Sequence, residues 1–120
     1  MSAAKYDIEI QRYADFVLPL QILTGSGENA VATDLTDKEL RMQIRRTVEE
    51  REYLTELNTD NGGINLVAAT EGRIELVIGE EETRNFNWQE GVYDLLLITP
   101  GERTRRILQG KASVSAGVTR

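Results

Sequence analysis

Two polar segments of the chain contain side chains that could bind a metal ion or act as acids and bases. The segment Asp60–Gly63 could begin a calcium loop, because Asp and Asn oxygens suit a hard cation and glycine permits a sharp turn. A complete calcium loop needs further oxygen ligands and a glutamate at its twelfth position, which this segment lacks. We therefore interpret the segment as a hairpin turn and predict no metal site.

Three consecutive glutamates, Glu80, Glu81 and Glu82, could form a catalytic carboxylate cluster. Carboxylate catalysis requires two acidic groups that converge in a cleft, and adjacency in the sequence does not provide that geometry. The chain also has no histidine to act as a partner. We expect a solvated connection here, and we predict no catalytic residue and no cofactor.

Arginines cluster twice, within residues 41–46 and 103–106. Alternate residues of a strand share a face, so alternate members of each cluster would lie together. Guanidinium groups pair with carboxylates in a fork geometry and could contact the acidic surface of a partner. The alternative is a solvated strand face that discourages unwanted edge pairing. The predicted partner contacts are Arg41, Arg45, Arg103 and Arg105.

The composition disfavours several classes of function. The chain has 120 residues with neither histidine nor cysteine, which excludes imidazole bases, thiolate metal sites, cysteine nucleophiles and disulfides. Its net charge of −6 disfavours duplex nucleic acid, because phosphate neutralisation requires a basic surface. The first residues lack the apolar core of a signal peptide, and no apolar run approaches the ~18 residues of a membrane helix. We predict no nucleic-acid, membrane or small-molecule partner.

Short strands separated by turn residues account for most of the chain. Apolar and polar residues alternate in segments 6–11 and 73–78, as expected for strands with one buried face. Residues 92–98 form a nearly continuous apolar run, which predicts a central strand covered on both sides. After the Pro-Gly turn, segments 104–108 and 112–115 are predicted as two further strands.

Residues 36–57 permit two interpretations. Thr36–Glu39 has the form of a capping box, and Leu40, Ile44 and Val48 fall four apart, as in an amphipathic helix. Leu40, Met42 and Ile44 also alternate with polar residues, as in a strand. We favour the strand, because the surrounding segments are predicted as β and connections between sequential strands are usually short.

These patterns predict an all-β fold, an immunoglobulin-like antiparallel β-sandwich of about seven strands. Phe86 and Trp88 would tuck under a polar connection that includes one short helical turn near residues 80–87. We predict a flexible N-terminal arm at residues 1–5, a single sandwich domain at residues 6–116 and a C-terminal tail at residues 117–120.

A resemblance to a known family lies in the order of seven blocks along the chain. The blocks are Tyr6–Arg12, Asp15–Leu20, Arg41–Arg45, Asn61–Ile64, Thr70–Leu76, Gly91–Leu95 and Arg106–Ser115. In this order the chain resembles small tailed-phage and prophage virion proteins, which are similar to the immunoglobulin-like N-terminal domain of phage baseplate upper proteins. The resemblance covers residues 6–120.

The resemblance implies a non-enzymatic structural protein, an adaptor or assembly module in the tail, baseplate or fibre-attachment region. Its partners would be other virion structural proteins, with multiple copies per particle. It would be synthesised in the cytoplasm of the host bacterium and located in the virion. The alternatives are a head decoration or head-fibre subunit, or a module that binds carbohydrate or the host surface through an exposed aromatic platform.

Overall fold

The fold consists mainly of β-strands. The computed structural model describes residues 3–25 and 27–119, which form eleven strands, one turn of α-helix and two 3₁₀ turns. The strands are β1 Ala4–Lys5, β2 Ile8–Gln11, β3 Phe16–Gln21, β4 Leu23–Thr24, β5 Val31–Ala32, β6 Glu39–Arg45, β7 Thr55–Asn58, β8 Ile64–Ala68, β9 Arg73–Ile78, β10 Glu90–Ile98 and β11 Arg105–Ser115. The helix is α1 Glu80–Thr83, and the 3₁₀ turns are Gly27–Asn29 and Ala69–Glu71.

The all-β prediction is confirmed, but the predicted count of about seven strands is too low. Three of the additional strands, β1, β4 and β5, have two residues each. A strand of two residues has no measurable period, so alternation of apolar and polar side chains cannot predict it. Their pairing partners in the folded chain are what define them.

The larger sheet contains six strands in the order β1–β11–β10–β6–β7, with β2 also paired to β11. The pairs among β11, β10, β6 and β7 are antiparallel, whereas β1 and β2 run parallel to β11 along the same edge. The smaller sheet is antiparallel, with the order β3–β9–β8, and β4 and β5 form a separate pair. Residues close to both ends of the chain therefore meet at one edge of the larger sheet.

The inward faces of both sheets contribute to one hydrophobic core. Alternate residues of β6, β9 and β10 are buried, as period-two segments require. Among them, Met42, Leu76 and Leu95 have no solvent-accessible surface. The continuous apolar run in β10 is nevertheless fully buried on one face only, because Leu96 and Ile98 on its outer face are half-buried. The predicted coverage of this strand on both faces is therefore wrong.

The strand interpretation of residues 36–57 is confirmed by β6 and β7, which pair with each other. Leu40, Met42 and Ile44 are all buried, whereas Val48 lies in the following loop and is 80% exposed. The helical pattern therefore fails at its last member. The supposed capping box is instead a turn in which the Thr36 amide and hydroxyl both donate to Asp34 Oδ1, at 2.9 and 2.6 Å.

Strand β11 is continuous through Gly110, which corrects the prediction of two separate strands in this region. A Cβ atom at Gly110 would lie 2.1 Å from the carbonyl oxygen of Tyr6. The glycine thus permits the N-terminal segment to approach β11 closely. A glycine in a strand-like sequence can mark either such a close approach or the end of the strand, and the sequence alone does not distinguish the two. A register shift opposite Leu95 and Leu96 adds a bulge nearby.

The N-terminal segment is partly incorporated into the sheet. Ala4 and Lys5, which the sequence analysis assigned to a flexible arm, form β1 against β11. The Tyr6 amide donates to Gln109 O at 2.9 Å, and the Lys111 amide donates to Asp7 Oδ1 at 2.9 Å. The part of the predicted arm at residues 1–2, and residue 120 of the predicted tail, lie outside the described residues.

The short helical turn predicted near residues 80–87 is present as α1. The Glu80 amide donates to Asp15 Oδ1 at 2.7 Å, and the buried Thr83 hydroxyl donates to Ala14 O at 2.9 Å. In the connection that follows the helix, Phe86 and Trp88 are buried in the core with their ring centroids 5.1 Å apart. This packing confirms that the two aromatic side chains tuck under the connection between the sheets.

Candidate partner-binding surface

Twelve of the outward side chains of the larger sheet form a surface that we call the basic face. The register of the strands places its members in rows across the sheet. They are Lys5 of β1, Arg41, Gln43 and Arg45 of β6, Glu56 and Asn58 of β7, Val92, Asp94 and Leu96 of β10, and Arg106, Gln109 and Lys111 of β11. Five cations and two carboxylates give these twelve positions a charge of +3, and three further outward glutamates of the same sheet, Glu9, Glu39 and Glu90, balance it.

A chain of hydrogen bonds orders the polar side chains of β6 and β7 on this face. Arg45 Nη2 donates to Gln43 Oε1 at 2.6 Å, and Gln43 Nε2 donates to Glu56 Oε1 at 2.6 Å. Asn58 Nδ2 donates to the other oxygen of Glu56 at 2.7 Å. The bond from Gln43 is the main cause that lowers the pKa of Glu56, and the bond from Asn58 and the charge of Arg41 act in the same direction. Glu56 therefore remains an anion fixed among donors.

Arg45 holds the loop of residues 46–54 that connects β6 and β7. Its Nη1 atom donates to Glu50 O at 3.0 Å and also to Arg51 O. Together with Gln43, these carbonyl groups occupy both terminal nitrogens of the guanidinium. Arg45, one of the four predicted partner contacts, is thus engaged within the chain.

Arg106 lies on the basic face, although the alternation of residues along the sequence selected Arg103 and Arg105 instead. Its Nε atom lies 3.1 Å from Asp94 Oδ2, and it pairs with Leu96 across the ladder, opposite Arg41 on the other side. The two arginines therefore flank Leu96 at about 10 Å from each other, which is two strand spacings. Because the bulge shifts the register at this point, no periodic pattern in the sequence could have identified Arg106.

The four predicted partner contacts occupy different settings. Arg41 is exposed on the basic face, and Arg45 is on the same face but is half-buried. Arg103 is exposed in the loop before β11. Arg105 begins β11 opposite Leu97, whose side chain is buried on the core side, so Arg105 lies outside the outward row. The structure thus brings Arg41 and Arg45 together and leaves the other two at the end of the sheet.

A groove crosses the basic face from β1 to the loop that follows β6. Its volume is about 540 Å³, and it is lined by Lys5, Val48, Val92, Asp94, Arg106 and Gln109, among others. Tyr93 also borders it and donates its hydroxyl to Tyr6 O. Burial, with smaller contributions from Asp7 and Tyr6, raises the pKa of Tyr93 to about 12. The tyrosine is therefore neutral at physiological pH and acts as a tie between β10 and the N-terminal edge.

Asn61, within the segment that could have begun a calcium loop, and the preceding Asn58 use their side-chain oxygens to form a turn. Asn58 Oδ1 accepts from the amides of Asp60 and Asn61, at 2.8 and 2.7 Å. Asn61 Oδ1 accepts from the amides of Asn58 and Gly63, at 3.0 and 2.8 Å. Within residues 3–25 and 27–119, no three acidic side chains converge as a metal ion requires.

Two of the three consecutive glutamates have separate partners within the chain. Glu80 pairs with Arg84 at 2.5 Å, an interaction that raises the pKa of the guanidinium, while Glu82 accepts a hydrogen bond from the Thr55 hydroxyl. Glu81 is exposed. The Glu80 carboxylate thus stabilises the helical turn, and the Glu82 carboxylate connects this turn to β7.

The exposed aromatic side chains do not form a platform in the described part of the chain. Tyr6 and Tyr53 are each about half-exposed, but Tyr6 lies at the β1 edge of the larger sheet and Tyr53 precedes β7 at the opposite edge. Phe86 and Trp88 are buried. This distribution offers little support for a carbohydrate-binding surface.

Comparisons with known proteins identify no family for this chain. No model of a known protein family matches the chain, and no curated protein matches it either. Within the described ranges, no helix has the length and hydropathy that crossing a membrane would demand.

Proposed function

We propose that this chain is a non-enzymatic structural protein of a tailed-phage virion, built on an immunoglobulin-like β-sandwich. It would act as an adaptor or assembly module in the tail, baseplate or fibre-attachment region, in multiple copies per particle. The order of sequence blocks along the chain, which resembles that of small virion proteins, supports the phage assignment. The surfaces available for contact support the role in assembly.

The observation that carries the proposal is the strand order of the two sheets. Immunoglobulin domains have strands A, B, E and D on one sheet and C, F and G on the other, and variable-type domains add strands beyond C. In this chain β3, β9 and β8 correspond in order to B, E and D, while β11, β10, β6 and β7 correspond to G, F, C and one added strand. The parallel strands β1 and β2 on β11 would take the place of strand A. This correspondence supports the immunoglobulin-like assignment over other two-sheet folds.

The distribution of charge supports a role in contact with other proteins. The basic face carries its cations on ordered strands of the larger sheet, where the backbone fixes their spacing. A rigid charged surface favours a partner of complementary charge and increases the rate of encounter. Many copies in one particle would let weak contacts of this kind hold firmly.

The proposal is tested by finding the chain in particles. Particles from the bacterium or prophage that encodes it should be purified on a density gradient and analysed by quantitative mass spectrometry. We expect the chain at a constant ratio to the tail proteins across gradient fractions. After deletion of its gene, electron microscopy should show particles that lack a tail, baseplate or fibre component, and expression of the chain from a plasmid should restore it.

Two results would contradict this role. One is intact, infectious particles that contain no copies of the chain. The other is a constant ratio to capsid proteins in tailless heads, which would support the alternative of a head decoration or head-fibre subunit.

A further inference from the structure

The groove on the basic face combines features that suit one kind of ligand. It crosses β1, β11, β10 and β6, so its length covers three strand spacings of about 4.8 Å, or about 14 Å. About four extended residues span that distance. Its volume of about 540 Å³ also lies within the range of roughly 300–1,000 Å³ in which proteins bind ligands.

The two ends of the groove differ in chemistry. Towards the β1 end, the exposed side chains of Lys5 and Arg106 both line the groove. Asp94 Oδ2 lies 3.1 Å from the Nε atom of Arg106 in an ion pair, and Nη1 has only a long contact of 3.4 Å to Gln109 Oε1. Asp94 therefore orients the guanidinium while its terminal nitrogens remain able to donate to a carboxylate.

At the opposite end, Val48 and Val92 add apolar surface beside Gln43 and Arg45, whose polar groups form hydrogen bonds within the chain. Val48 is 80% exposed on a loop that Arg45 holds in place, and Val92 forms part of the floor. An exposed valine on an anchored loop can cover an apolar side chain of a ligand at little cost in loop entropy. The groove thus offers donors at one end and apolar contact at the other.

We propose that this groove binds an extended acidic peptide segment of a partner protein, which crosses the strands of the larger sheet. Its carboxylates contact Lys5 and Arg106, and an apolar side chain packs between Val48 and Val92. The lining of the groove carries three cations against one carboxylate, Asp94, which suits the few separated carboxylates of a short peptide better than the continuous phosphates of nucleic acid. In the proposed assembly role, on which this inference rests, the peptide would belong to another structural protein of the particle.

The direct test is fluorescence anisotropy with a labelled decapeptide of alternating Glu and Val. We expect saturable binding that weakens as salt rises from about 50 to about 500 mM, because screening shortens the range of charge interactions. A peptide with Lys in place of Glu should not bind. In NMR spectra of the wild-type protein, the amides of Val48, Val92 and Gln109 should shift on titration with the acidic peptide.

A matched pair of variants separates the groove from overall charge. Arg106 and Arg73 are 56% and 55% exposed, and each forms one ion pair on a strand, but Arg73 lies on the smaller sheet. Arg106→Gln should weaken binding about fivefold, the value of one exposed charge pair, and the double variant with Lys5→Gln should weaken it more than about tenfold. Arg73→Gln should change the affinity less than about twofold.

Several results would overturn the proposal. They are the absence of saturable binding, equal weakening by Arg73→Gln and Arg106→Gln, tighter binding of a ten-nucleotide single-stranded DNA, or sedimentation that shows a dimer which Arg106→Gln dissociates. If Arg106→Gln does not fold, Lys5→Gln and the NMR map still decide the question. Particles that contain the chain without peptide binding would refute the groove alone, and peptide binding by a chain that is missing from particles would refute the virion role alone.

Discussion

At the scale of single residues, the side chains that hold one segment of the chain against another explain more of the fold than the groups suited to catalysis do. Arg45 fixes the loop after β6, and Tyr93 bonds to the carbonyl of Tyr6 at the N-terminal edge. Gly110 lets that edge approach, since any Cβ would meet the Tyr6 carbonyl. Each of these residues acts on a partner that is far away in the sequence, except Arg45, whose loop follows directly.

Tyr93 stabilises the folded protein by an amount that decreases at alkaline pH. Its pKa is about 12 in the folded chain and about 10 when unfolded, so folding favours the protonated form. The stabilisation is complete below pH 10 and is lost as pH rises towards 12. Urea unfolding should show that the wild type loses about 1–2 kcal/mol more than Tyr93→Phe between these pH values. Equal losses in both proteins would contradict this role of the hydroxyl.

At the scale of elements, β10 shows how a strand with an apolar sequence can have one buried and one accessible face. Leu95 is fully buried between the sheets, while its neighbour Leu96 is only half-buried between Arg41 and Arg106. The apolar outer residues supply part of a surface that a partner can cover. The strand therefore stabilises the core and contributes to the basic face at the same time.

A pair of matched variants tests this assignment of faces. Leu95→Ala removes a side chain from the core and should lower the free energy of unfolding by about 2–5 kcal/mol, because the cavity that remains adds to the lost burial. Leu96→Ala should lower it by about 1 kcal/mol or less, since part of that side chain is already solvated. Chemical denaturation followed by circular dichroism measures both values. Similar losses would mean that both faces of β10 are covered.

At the scale of the whole molecule, the two sheets share one core, so neither sheet buries its inward face without the other. Trp88 lies buried in this core and reports on it, whereas circular dichroism reports on the strands. We expect urea transitions from tryptophan fluorescence and circular dichroism to coincide, as for a single cooperative unit. Two separated transitions would indicate that the sheets unfold independently.

Local patterns in the sequence predicted the strands that have enough residues to show a period. The alternation in residues 39–45 and 73–78 correctly gave strands with one buried face, and Phe86 and Trp88 were correctly predicted as a cover. The two-residue strands could not be predicted, because their existence depends on the segments beside them. The set of partner-contact residues was also incomplete, since Arg106 was excluded by a simple alternation that the bulge interrupts.

By itself the sequence determined the all-β class and the buried faces of β6 and β9, because both follow from residues one or two positions apart. Only the tertiary structure decided that β11 continues through Gly110, that the N-terminal strands run parallel to it and that Arg106 joins Arg41 on the basic face. Those features depend on register between segments up to about a hundred residues apart. Register is set by packing and bulges, for which a single strand carries no local signal.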